Sequence, residues 1–369
     1  MPVQHLYIHI PFCHRICPYC SFFKHQPGKT DMREFLECLI VEAHAARERW
    51  PLELRTIYFG GGTPSIISTA HLQWFLPGLI EALDIDPAAL DEWSMEMNPM
   101  TFDSGKATLL RQSGVSRASL GVQAWDVATL ETLGRDHTPE HAEQSFHTLR
   151  EAGFPRVSLD LMFSIPGQSL ASWEQTLERT VALEPDHISA YNLNYEEDTE
   201  FFDRLKRGIY RQDDESDVPF FESAMSILGT AGYDHYEISN YAKPGCESAH
   251  NRGYWEGRDY IGLGPSAFST HARERWQNVC STDGYIKQMR TRGAASLPGE
   301  TLDDAAWRCE RLALELRTRR GVSLEVIGDT RESAIAELLE VGYVECRDAR
   351  VILTNQGKML ADSVAEHLL

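Results

Sequence analysis

The chain has no apolar run that approaches the ~18 to 20 residues of a membrane span, so no transmembrane segment is expected. It is also short of positive charge. Against 55 Asp and Glu stand 35 Lys and Arg, a formal net charge of −20 over 369 residues. A phosphate-binding face needs clustered cations, which argues against nucleic acid as a partner. Arg317, Arg319 and Arg320 form the dense basic patch of the sequence, and at the end of a predicted helix they read as dipole complement and solvated surface. Nothing at the N-terminus reads as a secretory signal and the eight cysteines lack framework spacing, so disulfides are not expected and a reducing, cytoplasmic compartment is. There is no low-complexity tract and no repeat beyond a strand-helix unit. The length suits one domain of about 250 to 300 residues plus a small one.

Five of the cysteines (Cys38, Cys246, Cys280, Cys309, Cys346) are scattered singly. The other three stand together in Cys13-His14-Arg15-Ile16-Cys17-Pro18-Tyr19-Cys20, directly after a strand-like segment. Thiolates grouped this tightly hold a soft metal, and three leave one corner of a tetrahedral or cubane site open. A structural zinc completed by His14 or His25, or three buried thiols without metal, are the alternatives. A second signal is strand-like Arg55–Phe59 running into Gly60-Gly61-Gly62-Thr63-Pro64, where glycine lets the backbone approach a ligand. The Lys-Ser/Thr pair that would complete a phosphate loop is absent.

Strands are predicted at His5–Ile10, Arg55–Phe59, Glu92–Met97, Arg117–Val122, Arg156–Met162 and His187–Asn192, each short, apolar and followed by helical periodicity. The helices fall near 31–49, 68–83, 103–113, 139–152 and 169–183, several opened by Ser, Thr or Asp. Six strand-helix units argue for an α/β fold with a parallel sheet closed or partly closed as a (β/α)6 barrel; an open doubly wound sheet is the alternative. In such barrels functional groups sit at the C-terminal strand ends. The cysteines follow strand one and the glycines strand two. Glu96 lies at the end of strand three, Gln123 ends strand four, Asp160 is an ionisable group inside strand five that needs a partner, and Asn192 and Asn194 close strand six. Residues 270–300 show no strong periodicity. Helices at Asp303–Thr318 and Arg331–Leu339, a hairpin around Arg347-Asp348-Ala349 and a last helix from Asn355 suggest a winged-helix-like unit packed on the barrel mouth, dividing the chain into 1–290 and 291–369.

The spacing C-x3-C-x2-C and the Gly-Gly-Gly-Thr-Pro loop resemble the radical S-adenosylmethionine superfamily. From residue 5 to the C-terminus the chain resembles one branch, the oxygen-independent coproporphyrinogen oxidase family. The matching text is Tyr7-Ile8-His9-Ile10-Pro11-Phe12-Cys13, Glu96-Met97-Asn98-Pro99, Leu120-Gly121-Val122-Gln123, Gly134-Arg135, Asp160-Leu161-Met162, Ile165-Pro166-Gly167-Gln168 and Gly262-Leu263-Gly264-Pro265-Ser266-Ala267-Phe268-Ser269. The resemblance implies a 4Fe-4S cluster on Cys13, Cys17 and Cys20 whose fourth iron takes the amino and carboxylate groups of S-adenosylmethionine. It implies that Tyr7, Tyr19, Gly61, Gly62, Thr63 and Glu96 contact that cofactor, Glu96 at its ribose, with Phe268 near the adenine. Gln123, Arg135, Asp160 and Asn194 would line a second S-adenosylmethionine or substrate pocket.

Within the family, decarboxylases carry a fourth cysteine two residues after the third, and here Phe22 stands there. The extension that precedes the first strand of the bacterial decarboxylase is also missing. His250-Asn251-Arg252-Gly253-Tyr254-Trp255 matches the H-N-x-x-Y-W signature of the HemW-type haem-chaperone branch. Likeness to that branch implies haem as cargo, with His250 as a ligand to iron and Tyr254 and Trp255 as faces for a porphyrin. It also implies acceptor haemoproteins and an electron donor for the cluster as partners. His250 as a hydrogen-bonded loop residue, and anaerobic decarboxylation of coproporphyrinogen III, are the competing readings.

Overall fold

A computed structural model describes residues 2–211, 214–328 and 331–369. Six parallel strands run in chain order: β1 (Val3–Ile10), β2 (Leu52–Gly61), β3 (Glu92–Met97), β4 (Arg117–Gln123), β5 (Arg156–Phe163) and β6 (His187–Asn192). The predicted strands lie within these bounds, and the connecting helices begin on the predicted caps. Asp31, Ser68, Asp103 and Ser169 each accept a backbone N–H of the first turn, and Thr138 forms a capping box with His141. The helices bury Phe35, Leu39, Phe75, Leu79, Leu110 and Trp173 against the outer face of the sheet. The architecture is the expected partial (β/α)6 barrel.

Both edges of the sheet carry strands that the sequence pattern did not reveal. Beyond β6 lie β7 (Asp234–Glu237) and β8 (Asn240–Ala242), antiparallel; beyond β1 lies parallel β9 (Tyr260–Leu263), then the hairpin β10 (Phe268–His271) and β11 (Glu274–Gln277), then β12 (Glu300–Thr301). A helix at Thr282–Arg292 packs on the helix Met32–Arg49. We place the domain division after β12, because Thr301 still pairs in the large sheet while a second apolar cluster gathers Leu312, Leu316, Val351 and Leu368. That C-terminal unit sets helices around a three-stranded sheet, β13 (Val322–Ser323), β14 (Val344–Arg347) and β15 (Arg350–Leu353), in the order β13-β15-β14. The hairpin turns on Asp348 and Ala349, both at positive φ as a two-residue type I′ turn requires. Among the described residues no helix is long and apolar enough to cross a membrane.

The barrel interior is polar at its lower end. Arg117 and Glu92, both almost wholly buried, pair at 2.9 Å. Glu92 also accepts from Ser94 Oγ, Ser248 Oγ and the backbone N–H of Ala249 and His250, so the short helix Ala249–Trp255 starts on this carboxylate.

Several histidines are enclosed in the fold as neutral rings. Burial lowers the pKa of His5, His9 and His137 to about 4 and of His235 and His250 to about 3. Depressed values make the stabilisation complete above the unfolded value of 6.5 and lost as pH falls toward 4 and 3, since the unfolded chain takes up protons first. The apparent Tm is therefore expected to fall from pH 7 to pH 5, before most carboxylates titrate. A flat Tm over that interval, read by differential scanning fluorimetry, contradicts the neutral buried placement.

Candidate functional site

The cysteine loop leaves β1 through Pro11 and Phe12 and is tied off at His25: Cys13 N donates to His25 O (3.0 Å) and His25 N to Pro11 O (2.8 Å). The imidazole of His25 is spent on Thr282 Oγ1 and Gln26 O, both at 2.7 Å, so it offers no nitrogen to a metal beside the thiols. The glycine loop after β2 lies directly on this loop. Gly62 N donates to Ile10 O and Thr63 N to Phe12 O, each at 2.8 Å. A Cβ at position 62 would stand 2.7 Å from Phe12 O, and Gly61 has φ +111°, which explains glycine at both positions.

A hydrogen-bond chain joins two of the cysteines. Cys13 Sγ lies 3.5 Å from Thr63 Oγ1, Asn98 Nδ2 donates to Thr63 Oγ1 (2.9 Å), Arg135 Nη2 donates to Asn98 Oδ1 (2.7 Å) and to Gly121 O (2.9 Å), and Arg135 Nη1 donates to Cys17 Sγ (3.6 Å). Arg135 Nε is buried without a partner among the described residues. Burial pushes the thiols of Cys13 and Cys20 up, and the neighbouring cysteines add to it. Such a set favours a ligand that removes the protons and spreads the charge, as a metal does. Among the described residues no three His, Cys, Asp or Glu side chains converge on a single ion. A cubane asks for no such convergence, because each thiolate meets a different iron. Three thiols beside a guanidinium fit a 4Fe-4S cluster in their donor chemistry.

Next to the cysteines opens a cavity of about 760 Å³ between the strand ends and the segment Lys358–Ser363 of the C-terminal unit. Tyr7, Gly61, Glu96 and Asn194 line it. Glu96 Oε1 accepts from Tyr58 OH (2.8 Å) and Oε2 from Gly61 N (3.2 Å); burial, with Asp160 adding, raises its pKa to about 7. Asp160 finds its partners in three serines, Ser119 and Ser189 of the two adjacent strands and Ser158 of its own, at 2.8 to 3.3 Å. Gln123 has φ +68° where the β4–β5 register breaks, a strained strand end of the kind that functional sites hold. Tyr19 packs its ring on Phe201 (6.1 Å), and burial followed by Cys17 pushes its phenol up. Phe22, 68% exposed, borders the same cavity. Phe268 lies on β10, 47% exposed and outside that lining.

Motif reading gave no role to three residues. Asn98 links the cysteine network, Tyr58 holds Glu96, and His9 joins Tyr7 OH (2.9 Å) to Phe23 O (2.8 Å), tethering the cavity wall to the cysteine loop.

His250 is not placed to ligate iron, which corrects the expectation. The residue is 0% exposed; Nδ1 bonds Thr56 Oγ1 (2.7 Å), Nε2 bonds Tyr254 OH (2.9 Å), and the ring stacks on Tyr58. It is a structural histidine of the barrel interior. Tyr254 and Trp255 do line the mouth cavity, and Arg317 lies over the Trp255 ring at 5.1 Å.

Residues 7–180 match the radical SAM superfamily. The chain is 33% identical to the heme chaperone HemW of Lactococcus lactis over 98% of this chain and 96% of that one, and 33% identical to the heme chaperone HemW of Bacillus subtilis over 97% of each. Against the heme chaperone HemW of Escherichia coli the identity is 34% over 100% and 99%. Its fold is that of the Escherichia coli coproporphyrinogen III oxidase HemN, described as a radical SAM enzyme, with a TM-score of 0.85 at 22% identity over 100% of this chain and 90% of that one. The chain belongs to the HemW family of radical S-adenosylmethionine proteins.

Proposed function

We propose that this protein carries a 4Fe-4S cluster on Cys13, Cys17 and Cys20, binds S-adenosylmethionine at the barrel mouth, and holds haem as cargo for acceptor haemoproteins in the cytoplasm. The observation that carries the choice over decarboxylation is Phe22, an apolar ring on the cavity wall where the decarboxylase motif has its fourth cysteine. Full-length likeness to several heme chaperones supports the same reading.

When bound, the cluster supplies a reducing electron, drawn from a partner donor, and an open iron for the methionine end of S-adenosylmethionine. The protein's own groups position what lies around it. Arg135 offsets thiolate charge at Cys17 and, through Asn98 and Thr63, couples it to Cys13. The Gly61–Thr63 backbone leaves room for the methionine amino group, and Glu96, oriented by Tyr58, accepts from the ribose hydroxyls. Tyr7 and Tyr19 keep water from the loop. Gln123, Arg135, Asp160 and Asn194 provide polar positions for a second molecule or a substrate group.

Haem titration of anaerobically reconstituted protein, followed by coproporphyrinogen III with S-adenosylmethionine and reductant, tests the function. Stoichiometric haem uptake without decarboxylated product is expected; robust turnover overturns the chaperone reading. The role of Glu96 has its own test. An acceptor carboxylate binds ribose in its charged form, so affinity for S-adenosylmethionine is expected to rise with pH through about 7, the raised value of this carboxyl. Glu96→Gln is expected to lower affinity about tenfold and flatten the profile. An unchanged profile in equilibrium binding removes Glu96 from the cofactor.

A further inference from the structure

The chain has a second large cavity, about 770 Å³, at the other end of β1 from the cysteines, between Pro2, Gln4 and His5 of the barrel and the first helix of the C-terminal unit. We infer that this basin, and not the mouth, is where the haem cargo sits; the placement rests on the chaperone reading above.

Charge separates the two cavities. The mouth is bordered by four acids, Glu96, Asp217, Glu237 and Asp362, against Arg317 and Lys358. That surplus suits the sulfonium and amino cations of S-adenosylmethionine. The basin is bordered by six arginines against four acids, a positive enclosure in a chain of net charge −20. Haem is a flat ring with two carboxylates, and arginine is the residue that meets carboxylates in matching geometry.

Two of those arginines are unpaired or loosely paired at the rim. Arg252 is exposed and has no ion partner among the described residues, and the only ion partner of Arg320 there, Glu256, stands 3.7 Å away. Two indoles, Trp255 and Trp307, supply flat apolar surface, and Trp255 Nε1 is buried with no hydrogen-bond partner among the described residues.

The basin also contains an imidazole with a free nitrogen. His5 is 6% exposed; Nδ1 bonds Thr56 Oγ1 (2.8 Å) while Nε2 has no partner among the described residues. A ring held through one nitrogen and bare at the other is the arrangement of an axial haem ligand. Nε2 rests against Gly253, where an added Cβ would stand 2.7 Å away, so glycine accommodates the ring in its present place and ligation takes a turn of the ring away from Gly253 toward the basin it lines. His5 takes the iron, and the arginines take the carboxylates. Trp255 borders both cavities, so cargo and cofactor share one wall.

The test is titration of the full reconstituted chain with haem and with iron-free protoporphyrin, read by visible absorption. The double substitution Arg252→Glu, Arg320→Glu is expected to weaken both ligands at least about tenfold, as loss of two charge-assisted contacts requires. His5→Phe is expected to change the haem spectrum and leave protoporphyrin bound. Leu360→Trp, which fills the mouth, is expected to leave haem affinity as it was. Haem lost on filling the mouth and kept by the double substitution overturns the basin, and an unaltered spectrum in His5→Phe overturns His5 as ligand. A native chain that takes up no haem overturns the chaperone reading and this placement with it.

Discussion

Cys17→Ala is expected to leave anaerobic reconstitution with iron and sulfide near background and without the broad visible absorption of an iron–sulfur cluster. The loop offers three thiols for three irons, and Cys17 receives the Arg135 guanidinium. Its loss leaves two anchors and a buried cation without its sulfur partner. No replacement is at hand. Cys38 is buried in its helix, and Cys246, Cys280, Cys309 and Cys346 belong to other elements, most of them exposed. The fold is expected to survive, because the loop is closed by the Cys13–His25 and His25–Pro11 backbone bonds and by Thr63 on Phe12, none of which involves position 17. Far-ultraviolet circular dichroism therefore stays as in the native chain while metal content collapses. Cys280→Ala, an exposed thiol near Ser266, is the matching control and keeps about four irons and four sulfides per chain. A full complement in Cys17→Ala removes these cysteines as the ligand set.

The six barrel strands were legible because parallel strands covered on both faces read as short apolar runs, and the helices between them start on capping side chains that the sequence displays. The edge strands had no such signal. Asp234-His235-Tyr236-Glu237 and Glu274-Arg275-Trp276-Gln277 are polar segments held by pairing to a neighbour already in the sheet. In the helix Thr282–Arg292 only Thr282, Tyr285 and Met289 are buried, too few apolar positions to stand out.

The site divides along similar lines. Cysteine spacing, the triple glycine and Glu96 carry their roles in contiguous motifs, whereas Asn98 and His9, though they stand inside such motifs, act through hydrogen bonds that no spacing announces: Asn98 meets Thr63 and Arg135, 35 and 37 residues away in sequence. His250 shows the converse. Between aromatics it looks like a ligand, yet its Nδ1 is committed to Thr56, 194 residues distant. Sequence identifies which residue types are available; only the fold shows which of their atoms are already engaged.

Arg117→Met is expected to destabilise the protein by roughly 3 to 5 kcal/mol, because it breaks a buried ion pair and leaves one charge behind. Glu92 is 0% exposed and Arg117 2%. Burial alone would push the Glu92 carboxyl up; the Arg117 guanidinium and the donors from Ala249, Ser94 and His250 outweigh that and hold it at about 2. The depressed value gives the native chain stability that is present above the unfolded carboxyl value and lost as pH falls toward 2. Without Arg117 the carboxyl protonates more readily, so the deficit of the variant is expected to be largest near pH 7 and to shrink by pH 4. Urea denaturation at both values measures it, and a deficit under about 1 kcal/mol at pH 7 overturns the role assigned to the pair. The consequence reaches the ligands. The helix that carries Trp255 begins on Glu92 through Ser248, Ala249 and His250, so a displaced carboxylate moves the indole that borders both cavities. Glu92→Gln combined with Arg117→Met keeps an uncharged acceptor for those donors, and is expected to recover most of the stability and the native haem affinity.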